Sequence, residues 1–136
     1  MCYHTPGDFM EYVIKHIDDY EQIECIHNEK CVGYINYRFL NRSVWLNKIS
    51  VDSEYRGRGI GKTLLKLFEN EAIKLRKVVV EGKFFPETNG EYVRRFYESS
   101  GYSIEKEGYD TELYKVLKLK HNLDGIAIKY VGSNNR

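Results

Sequence analysis

Apolar residues recur at two different spacings along this chain of 136 residues. Phe9, Tyr12, Val13 and Ile17 return every three or four positions, which predicts a short helix over residues 9–17. Strand-like runs separated by turn residues follow it, at 21–27, 31–40 and 44–51. Because consecutive strands joined by short turns pair side by side, these runs predict an antiparallel meander.

A longer helix is predicted after these strands, and another strand after that helix. The helix has an apolar stripe at helical spacing, formed by Ile60, Leu64, Phe68, Ala72 and Leu75. The β-branched run at 78–80 indicates a buried central strand. If the strands before and after the helix are parallel, their connection is right-handed.

A second, shorter helix is predicted in the last third of the chain. A loop at 86–90 precedes it, and Tyr92, Phe96 and Ser99 share one of its faces. Gly101 can end this helix in a left-handed cap, since glycine adopts positive φ without steric cost.

The C-terminal part of the chain predicts a hairpin followed by a tail. The hairpin has strands at 102–107 and 113–119, with its turn around 108–110. In the tail, one apolar alternation remains at Ile126, Ile128 and Tyr130. This alternation fits either an edge strand or a linker-like end.

The composition is that of one globular domain. Hydrophobic residues make up 42% of the chain, and its length is enough to bury one core. The formal net charge of +1 disfavours nucleic acid as a partner. Cys2, Cys25 and Cys31 have neither metal-ligand spacing nor a disulfide framework, so we expect no metal and a cytoplasmic protein with reduced thiols. No apolar run is long enough to span a membrane, so no membrane partner is expected.

The segment 51–62 carries the most specific chemical signal. Gly57, Gly59 and Gly61 allow a tight turn whose backbone N–H groups are left uncovered by side chains. The segment also begins the long helix, where the first N–H groups lack helical partners and the helix dipole is positive. Full positive charges are added by Arg56, Arg58 and Lys62. Together these features predict a site for a phosphate-bearing ligand.

Three phosphate-loop patterns compete for this segment. The P-loop ends in Gly-Lys-Ser/Thr, as Gly61-Lys62-Thr63 does, but position 56 is Arg where that pattern needs its first Gly. The dinucleotide fingerprint requires G-x-G-x-x-G, whereas the glycines here run G-x-G-x-G. The third pattern, Arg/Gln-x-x-Gly-x-Gly/Ala, is matched by Arg56, Gly59 and Gly61.

Residues 95–102, Arg-Phe-Tyr-Glu-Ser-Ser-Gly-Tyr, form a second distinctive segment. Together with 51–65, it resembles the GNAT superfamily of acyl-CoA N-acyltransferases. The earlier segment is similar to the family's strand, pyrophosphate loop and helix, and the later one to its Phe-Tyr-x-x-x-Gly-Phe/Tyr signature. The resemblance covers about residues 20–119 of a single domain over 1–136, which leaves 120–136 as a C-terminal extension.

The resemblance implies an α/β (α+β) fold with a mixed, mostly antiparallel sheet that is splayed at its centre and flanked by helices. It implies acetyl-CoA as the acyl donor, with its pyrophosphate on the loop backbone and its pantetheine arm along the main chain of the strand before the loop. The implied cofactor-binding residues are Ile49, Val51, Arg56, Gly57, Arg58, Gly59, Ile60, Gly61, Lys62, Thr63 and Asn89.

The resemblance also implies catalytic roles. Tyr97 matches the signature tyrosine that protonates the departing CoA thiolate in many members, and a phenol with an ordinary pKa of about 10 suits that role. The alternative for Tyr97 is a packing aromatic. The family often places a Glu or His base on a central strand, and 44–51 holds neither. Glu81 is therefore the candidate base, with an exposed strand-end carboxylate as its alternative, and His27 is a second candidate.

The predicted activity is acetyl-CoA-dependent N-acetylation of a primary amine by direct transfer in a ternary complex. A non-catalytic CoA-binding module and an unrelated phosphate or nucleic-acid binder stay open as alternatives. Usual members have a strand and two helices before the first hairpin, and these form one wall of the acceptor cleft. That region is shorter here, so the sequence leaves the acceptor open between a small-molecule and a peptide amine, and a homodimer partner or the tail can supply the wall.

Overall fold

Eight strands and two α-helices form the described part of this computed structural model, which comprises residues 9–84, 90–107 and 110–132. In chain order the elements are β1 (Met10–Ile17), β2 (Tyr20–His27), β3 (Lys30–Phe39), β4 (Ser43–Val51), α1 (Ile60–Lys74), β5 (Val79–Phe84), α2 (Gly90–Ser99), β6 (Ser103–Glu107), β7 (Asp110–Val116) and β8 (Ala127–Val131). A short 3₁₀ turn, Ser53–Tyr55, separates β4 from α1. The predicted loop at 86–90 and the hairpin turn at 108–110 lie mostly outside the described residues.

The strands form one mixed sheet in the order β6-β7-β5-β4-β3-β2-β1-β8. The pairs β4–β5 and β1–β8 are parallel, and the other neighbours are antiparallel. The predicted meander is therefore present in β2, β3 and β4, and α1 connects two parallel strands as expected. The predicted mixed, mostly antiparallel sheet of a single domain is confirmed.

The predicted helix over 9–17 is wrong, because residues 10–17 form strand β1. This strand pairs with β2 along its whole length, from Met10↔His27 to Ile17↔Tyr20. Its apolar spacing fits a period of two as well as a helical period, and β-branched residues at 13, 14 and 17 favour the strand. The connection to β2 is a turn of two residues, so the antiparallel partner lies close enough in sequence to decide between the two periods.

The alternation in the tail forms the edge strand β8, which is the first of the two predicted alternatives. β8 pairs in parallel with β1. The Tyr130 hydroxyl donates a hydrogen bond to Glu71 Oε2 at 2.7 Å, and Lys74 Nζ donates to that hydroxyl at 3.1 Å. The C-terminal extension is thereby attached to α1 as well as to the sheet.

The run at 78–80 is only in part the buried strand that was predicted. β5 begins at Val79 and occupies an interior position in the sheet, between β4 and β7. Val80 is fully buried, whereas Val78 lies outside the strand and is 54% exposed. The β-branched run therefore predicted the strand's position correctly and its first residue wrongly.

The strands β4 and β5 separate at the centre of the sheet. They pair only from Ser43↔Val79 to Leu46↔Gly82, although both strands continue beyond these pairs. A Cβ on Gly82 would lie 2.9 Å from the Leu46 carbonyl oxygen, so the last pair is too close for any other residue. On its other side, β4 has a bulge against β3 that leaves Asn47 unpaired. This separation confirms the predicted central splay.

Both helices pack on the same face of the sheet, and the core lies between them and the strands. The predicted stripe of α1 is buried at Ile60, Leu64, Phe68 and Ala72, whereas Leu75, its fifth predicted member, is the C-cap and only partly buried. Gly101 ends α2 with φ 90°, as predicted. The N–H groups of Gly101 and Tyr102 donate to the Glu98 and Tyr97 carbonyls at 3.0 and 3.1 Å, which is a Schellman cap.

A buried carboxylate connects α1 to the end of α2 and to β7. Glu69 is 3% exposed and accepts a hydrogen bond of 2.7 Å from the Tyr102 hydroxyl. Lys115 Nζ lies 2.9 Å from the same carboxylate and also donates to the Ser100 carbonyl at 2.8 Å. His121 Nε2 lies 2.7 Å from it. Burial, and next the negative charge of Glu69, raise the pKa of Tyr102 well above its usual value, so the phenol stays a donor at neutral pH.

Removing the hydroxyl of Tyr102 should therefore destabilise the fold. Tyr102→Phe keeps the ring but takes one donor from a buried carboxylate, which costs about 1–3 kcal/mol of unfolding free energy. Urea denaturation measures this change. Tyr114→Phe is the matched control, since Tyr114 is 48% exposed and should lose less than about 0.5 kcal/mol. Equal losses in both variants would contradict the role assigned to Glu69.

Candidate active site

A cleft of about 940 Å³ opens where β4 and β5 separate. The far half of β4 forms one wall, the end of β5 and the aromatic face of α2 form the other, and the start of α1 closes one end. The lining residues are those at 46–51 and Tyr55, Arg56, Gly57, Gly59, Ile60, Gly61, Lys62, Lys83, Phe84, Tyr92, Val93, Phe96 and Tyr97. The cleft therefore lies at the point where the sheet itself provides an opening.

Most of the predicted cofactor-binding residues meet at this cleft. Eight of them line it, namely Ile49, Val51, Arg56, Gly57, Gly59, Ile60, Gly61 and Lys62. Arg58 and Thr63 are not among the lining residues, and Asn89 lies outside the described residues. The structure thus brings the loop and the strand end together and leaves two of the predicted side chains aside.

The loop before α1 needs two glycines because of its backbone conformation. Gly57 and Gly59 have φ 80° and 83°, which side-chain-bearing residues rarely adopt. A Cβ at either position would meet no atom within 4 Å, so the space above the loop is open. Gly59 is the N-cap of α1 and offers no side-chain acceptor to the first turn.

The first turn of α1 presents free amide donors to the cleft. The first helical hydrogen bond runs from the Thr63 N–H to the Gly59 carbonyl, at 3.0 Å. The N–H groups of Ile60, Gly61 and Lys62 precede that bond, and nothing in the described part of the chain accepts from them. No acidic side chain lies in this turn, so the positive end of the helix dipole is uncompensated there.

Two arginines hold the loop in different ways. Arg56 Nε donates to the Val51 carbonyl at 3.2 Å, which fastens the loop to the end of β4. The Arg58 guanidinium lies over the Tyr55 ring, 4.8 Å from its centroid, and the Tyr55 hydroxyl lies 2.7 Å from His27 Nδ1. His27, the second candidate base, therefore contacts the loop and not the gap between β4 and β5.

Gly61 lies at a tight contact between the two helices. A Cβ at this position would lie 3.1 Å from two atoms of the Phe96 ring, which would have to shift by a few tenths of an ångström. The absence of a side chain at residue 61 thus favours the close approach of α1 to α2. The sequence pattern assigned Gly61 to the phosphate loop, and its contact with Phe96 is a second reason for glycine there.

Tyr97 lies on the cleft wall within a cluster of aromatic rings. Its ring centroid is 5.6 Å from Phe84, 5.3 Å from Phe96 and 5.6 Å from Tyr102. Tyr97 is 4% exposed, and its hydroxyl has no hydrogen-bond partner among the described residues. Burial raises its pKa well above the usual value, so the side chain remains a protonated phenol over the physiological pH range.

Glu81 does not line the cleft. Its neighbours Val80 and Gly82 face the helices and the core, so Glu81 points to the opposite face of the sheet. There it is paired in register with Trp45 on β4 and with Tyr114 on β7. It lies one residue before the two strands separate, at the edge of the opening.

Several cleft residues were not predicted from the sequence. Lys48, Lys83 and Phe84 line the cleft because β4 and β5 diverge, and no local pattern signals where two paired strands part. Gly82 is the usable signal, since a glycine inside a strand often marks a close backbone approach.

Two further searches of the described residues found nothing. Within 9–84, 90–107 and 110–132, no group of three or more His, Cys, Asp or Glu side chains is arranged to hold a metal ion. No helix in these ranges is both long and apolar enough to cross a membrane.

The sequence matches the family model described as the acetyltransferase (GNAT) domain over residues 19–104. This span is more than half of the chain, which therefore belongs to the GNAT acetyltransferase family. The comparison with curated proteins found no significant match.

Solved structures share the fold, and two of them were solved with coenzyme A or acetyl coenzyme A. PaiA N-acetyltransferase from Thermoplasma acidophilum, solved with coenzyme A, is 21% identical with a TM-score of 0.66, over 72% of this chain and 61% of that one. A GNAT acetyltransferase from Staphylococcus aureus is 23% identical with a TM-score of 0.64, over 73% and 69%. A Bacillus anthracis protein in complex with acetyl coenzyme A is 18% identical with a TM-score of 0.61, over 74% and 63%. At these identities the likeness establishes the fold.

The contact between Gly61 and Phe96 can be tested by stability measurements. Gly61→Ala should lower the unfolding free energy by up to about 2 kcal/mol, because overpacking outweighs the gain in helix propensity. In a Phe96→Ala background the contact is gone, so the same change should stabilise the protein by up to about 1 kcal/mol. Chemical denaturation of the four proteins gives both values. The same sign in both backgrounds would show that the two residues are not in contact.

Proposed function

We propose that this protein is an acetyl-CoA-dependent N-acetyltransferase that moves an acetyl group directly to a primary amine in a ternary complex. The observation that carries this proposal is the joint position of the glycine loop and Tyr97 on one cleft between β4 and β5. Membership of the family supports acyl transfer from CoA in general terms. The amine acceptor and the catalytic roles below are our proposal.

The donor is held by backbone groups. The CoA pyrophosphate binds the free N–H groups of Ile60, Gly61 and Lys62, where two phosphates are stabilised by oriented donors and the helix dipole. The pantetheine arm lies along β4 beyond Leu46, because that edge of β4 has no strand partner in the described structure. An extended chain with amide groups can add to such an edge much as a peptide strand does.

Tyr97 acts as the general acid. The amine nitrogen attacks the thioester carbonyl and forms a C–N bond, after which the C–S bond breaks and the CoA thiolate leaves. A protonated phenol can supply the proton that the thiolate needs, and Tyr97 is protonated at neutral pH; burial raises its pKa, which makes it a weaker acid than an exposed tyrosine. The partnerless hydroxyl on the cleft wall is free to donate to the sulfur.

Glu81 acts as the base from outside the cleft. Glu81 points to the face opposite the helices. It therefore accepts the amine proton in one of two ways: through a bridging water molecule, or directly while the amine is still outside the cleft. His27 is not proposed as a base, since its ring contacts Tyr55.

Blocking the loop should abolish donor binding. Gly59→Val introduces a branched side chain into the open space above the loop and should weaken CoA binding at least about tenfold, or 1.4 kcal/mol. Gly125→Val is the matched control, because Gly125 has φ 86°, equally open surroundings and no place in the cleft. Calorimetric titration with CoA measures both. If the two variants bind CoA equally well, the loop does not hold the pyrophosphate.

Removing the hydroxyl of Tyr97 should stop transfer without affecting donor binding. A general acid contributes about 10²–10⁴ in rate, so Tyr97→Phe should lose most of its turnover and retain its CoA affinity. Tyr102→Phe is the control for ring packing, since it deletes a neighbouring hydroxyl outside the cleft. Turnover within about twofold of wild type, a barrier change of about 0.4 kcal/mol, would make Tyr97 a packing residue. CoA binding without turnover in the wild type would instead favour a CoA-binding module.

A further inference from the structure

One face of the sheet carries no helix in the described structure. Both α1 and α2 lie on the other face, as shown by the contact of Phe96 with Gly61 and of Tyr102 with Glu69. Side chains alternate along each strand, so half of the sheet's residues point to this open face. The chain passes from β1 to β2 through two residues, so no helix lies between these two strands.

On β1, β2 and β3 the open face is occupied by polar side chains that satisfy one another. Lys15 Nζ lies 2.9 Å from Glu24 Oε1, and Gln22 donates to Glu24 Oε2 at 2.7 Å. Asn36 donates to Gln22 at 3.3 Å. Glu24, which is 8% exposed, is thus paired within this network, so the polar groups on this half of the face satisfy one another.

The half on β4, β5 and β7 is different. Pairing registers put five side chains side by side here, which we call the open-face patch: Trp45, Val79, Glu81, Tyr114 and Val116. Tyr114 and Val116 are 48% and 50% exposed. Glu81 lies between Trp45 and Tyr114, and within the described residues its carboxylate forms no hydrogen bond or ion pair. An unpaired carboxylate of intermediate exposure thus lies between two aromatic side chains.

The open-face patch continues directly into the cleft. Glu81 and Trp45 form the pair next to Leu46↔Gly82, the last one before the strands separate. The next residue of β5 on this face, Lys83, lines the cleft. Alternate residues of a strand are about 7 Å apart, so the Glu81 backbone lies about 7 Å from that of Lys83 at the opening.

We propose that the open-face patch binds the acceptor, and that the acceptor is a cationic amine carried on an apolar body. This inference rests on the proposed function, because it assigns the second substrate of the same transfer. A Glu81 carboxylate flanked by two aromatic rings complements an ammonium group electrostatically, and the rings also attract cations. Val79 and Val116 cover the apolar part of the molecule.

The cationic side chains near the open-face patch are compatible with a cationic acceptor. Lys83 lies 4.0 Å from Glu112, so its charge is partly balanced. Arg38 lies beside Trp45 on β3, on the side away from Glu81. An acceptor with a carboxylate next to its amine would bring that carboxylate against Glu81, which disfavours it by like-charge repulsion.

The test compares three amines with wild type and matched variants. Phenethylamine and hexylamine carry an ammonium on an apolar body, and glycine carries a carboxylate beside it. We expect kcat/KM for the first two to exceed that for glycine at least about tenfold. Glu81→Gln should raise KM for phenethylamine about tenfold and Trp45→Leu about threefold, with KM for acetyl-CoA unchanged. Glu11→Gln, a carboxylate on the open face at β1, should leave both KM values unchanged.

Different outcomes separate this inference from the proposed function. If glycine is used as well as phenethylamine, or if Glu81→Gln and Glu11→Gln behave alike, the patch does not bind the acceptor. A fall in kcat with a shifted pH profile and an unchanged KM would leave Glu81 as a base only and overturn the inference. A change of sedimentation mass in Trp45→Leu with unchanged amine KM would assign the patch to a second copy of the chain, which also overturns it.

Binding without turnover gives the remaining discrimination. Calorimetric titration of phenethylamine into the CoA-loaded protein measures the patch alone. Loss of this binding in Glu81→Gln, with no transfer to any amine in the wild type, would support the patch and refute the transferase. If the wild type transfers acetyl groups but phenethylamine binds it no more tightly than it binds Glu81→Gln, the transferase is supported and the patch is refuted.

Discussion

The close approach of β4 and β5 at Leu46 and Gly82 is the constraint on which the site depends. These two strands are hydrogen-bonded for four residue pairs and then part, and the Gly82 Cα lies so near the Leu46 carbonyl that no side chain fits. A sheet that stayed paired would leave no cleft and no unpaired edge on β4. Because both strands are interior, the opening lies at the centre of the sheet, where core packing holds its walls in place.

The position of the proposed anion site follows from the same separation. β4 ends at the opening, so the chain must turn back there to begin α1, and the glycines at 57 and 59 make that turn in a left-handed conformation. The first turn of α1 is therefore next to the unpaired edge of β4. A ligand with a phosphate end and an extended amide arm can contact both, since each offers unsatisfied backbone groups. Phe96, packed on Gly61, keeps α2 and its Tyr97 beside this junction.

Sequence patterns predicted the elements whose structure is decided locally. The glycine loop, the stripe of α1 and the cap at Gly101 depend on residues close together in the chain, and all three are confirmed. The segment at 9–17 was predicted wrongly, because its apolar spacing fits two periods and pairing with β2 decides between them. The side on which Glu81 lies depends on the register of β5 between β4 and β7. Such registers are set by packing across the sheet, which one sequence does not reveal.

The open face of the sheet differs between its two halves. On β1 to β3 it carries a mutually satisfied polar network. On β4, β5 and β7 the face is different, because Trp45, Tyr114 and Val116 lie beside an unpaired Glu81. About half of the Tyr114 and Val116 side chains is exposed to water here. A bound cationic molecule, as proposed, would cover this apolar surface and neutralise the Glu81 charge together.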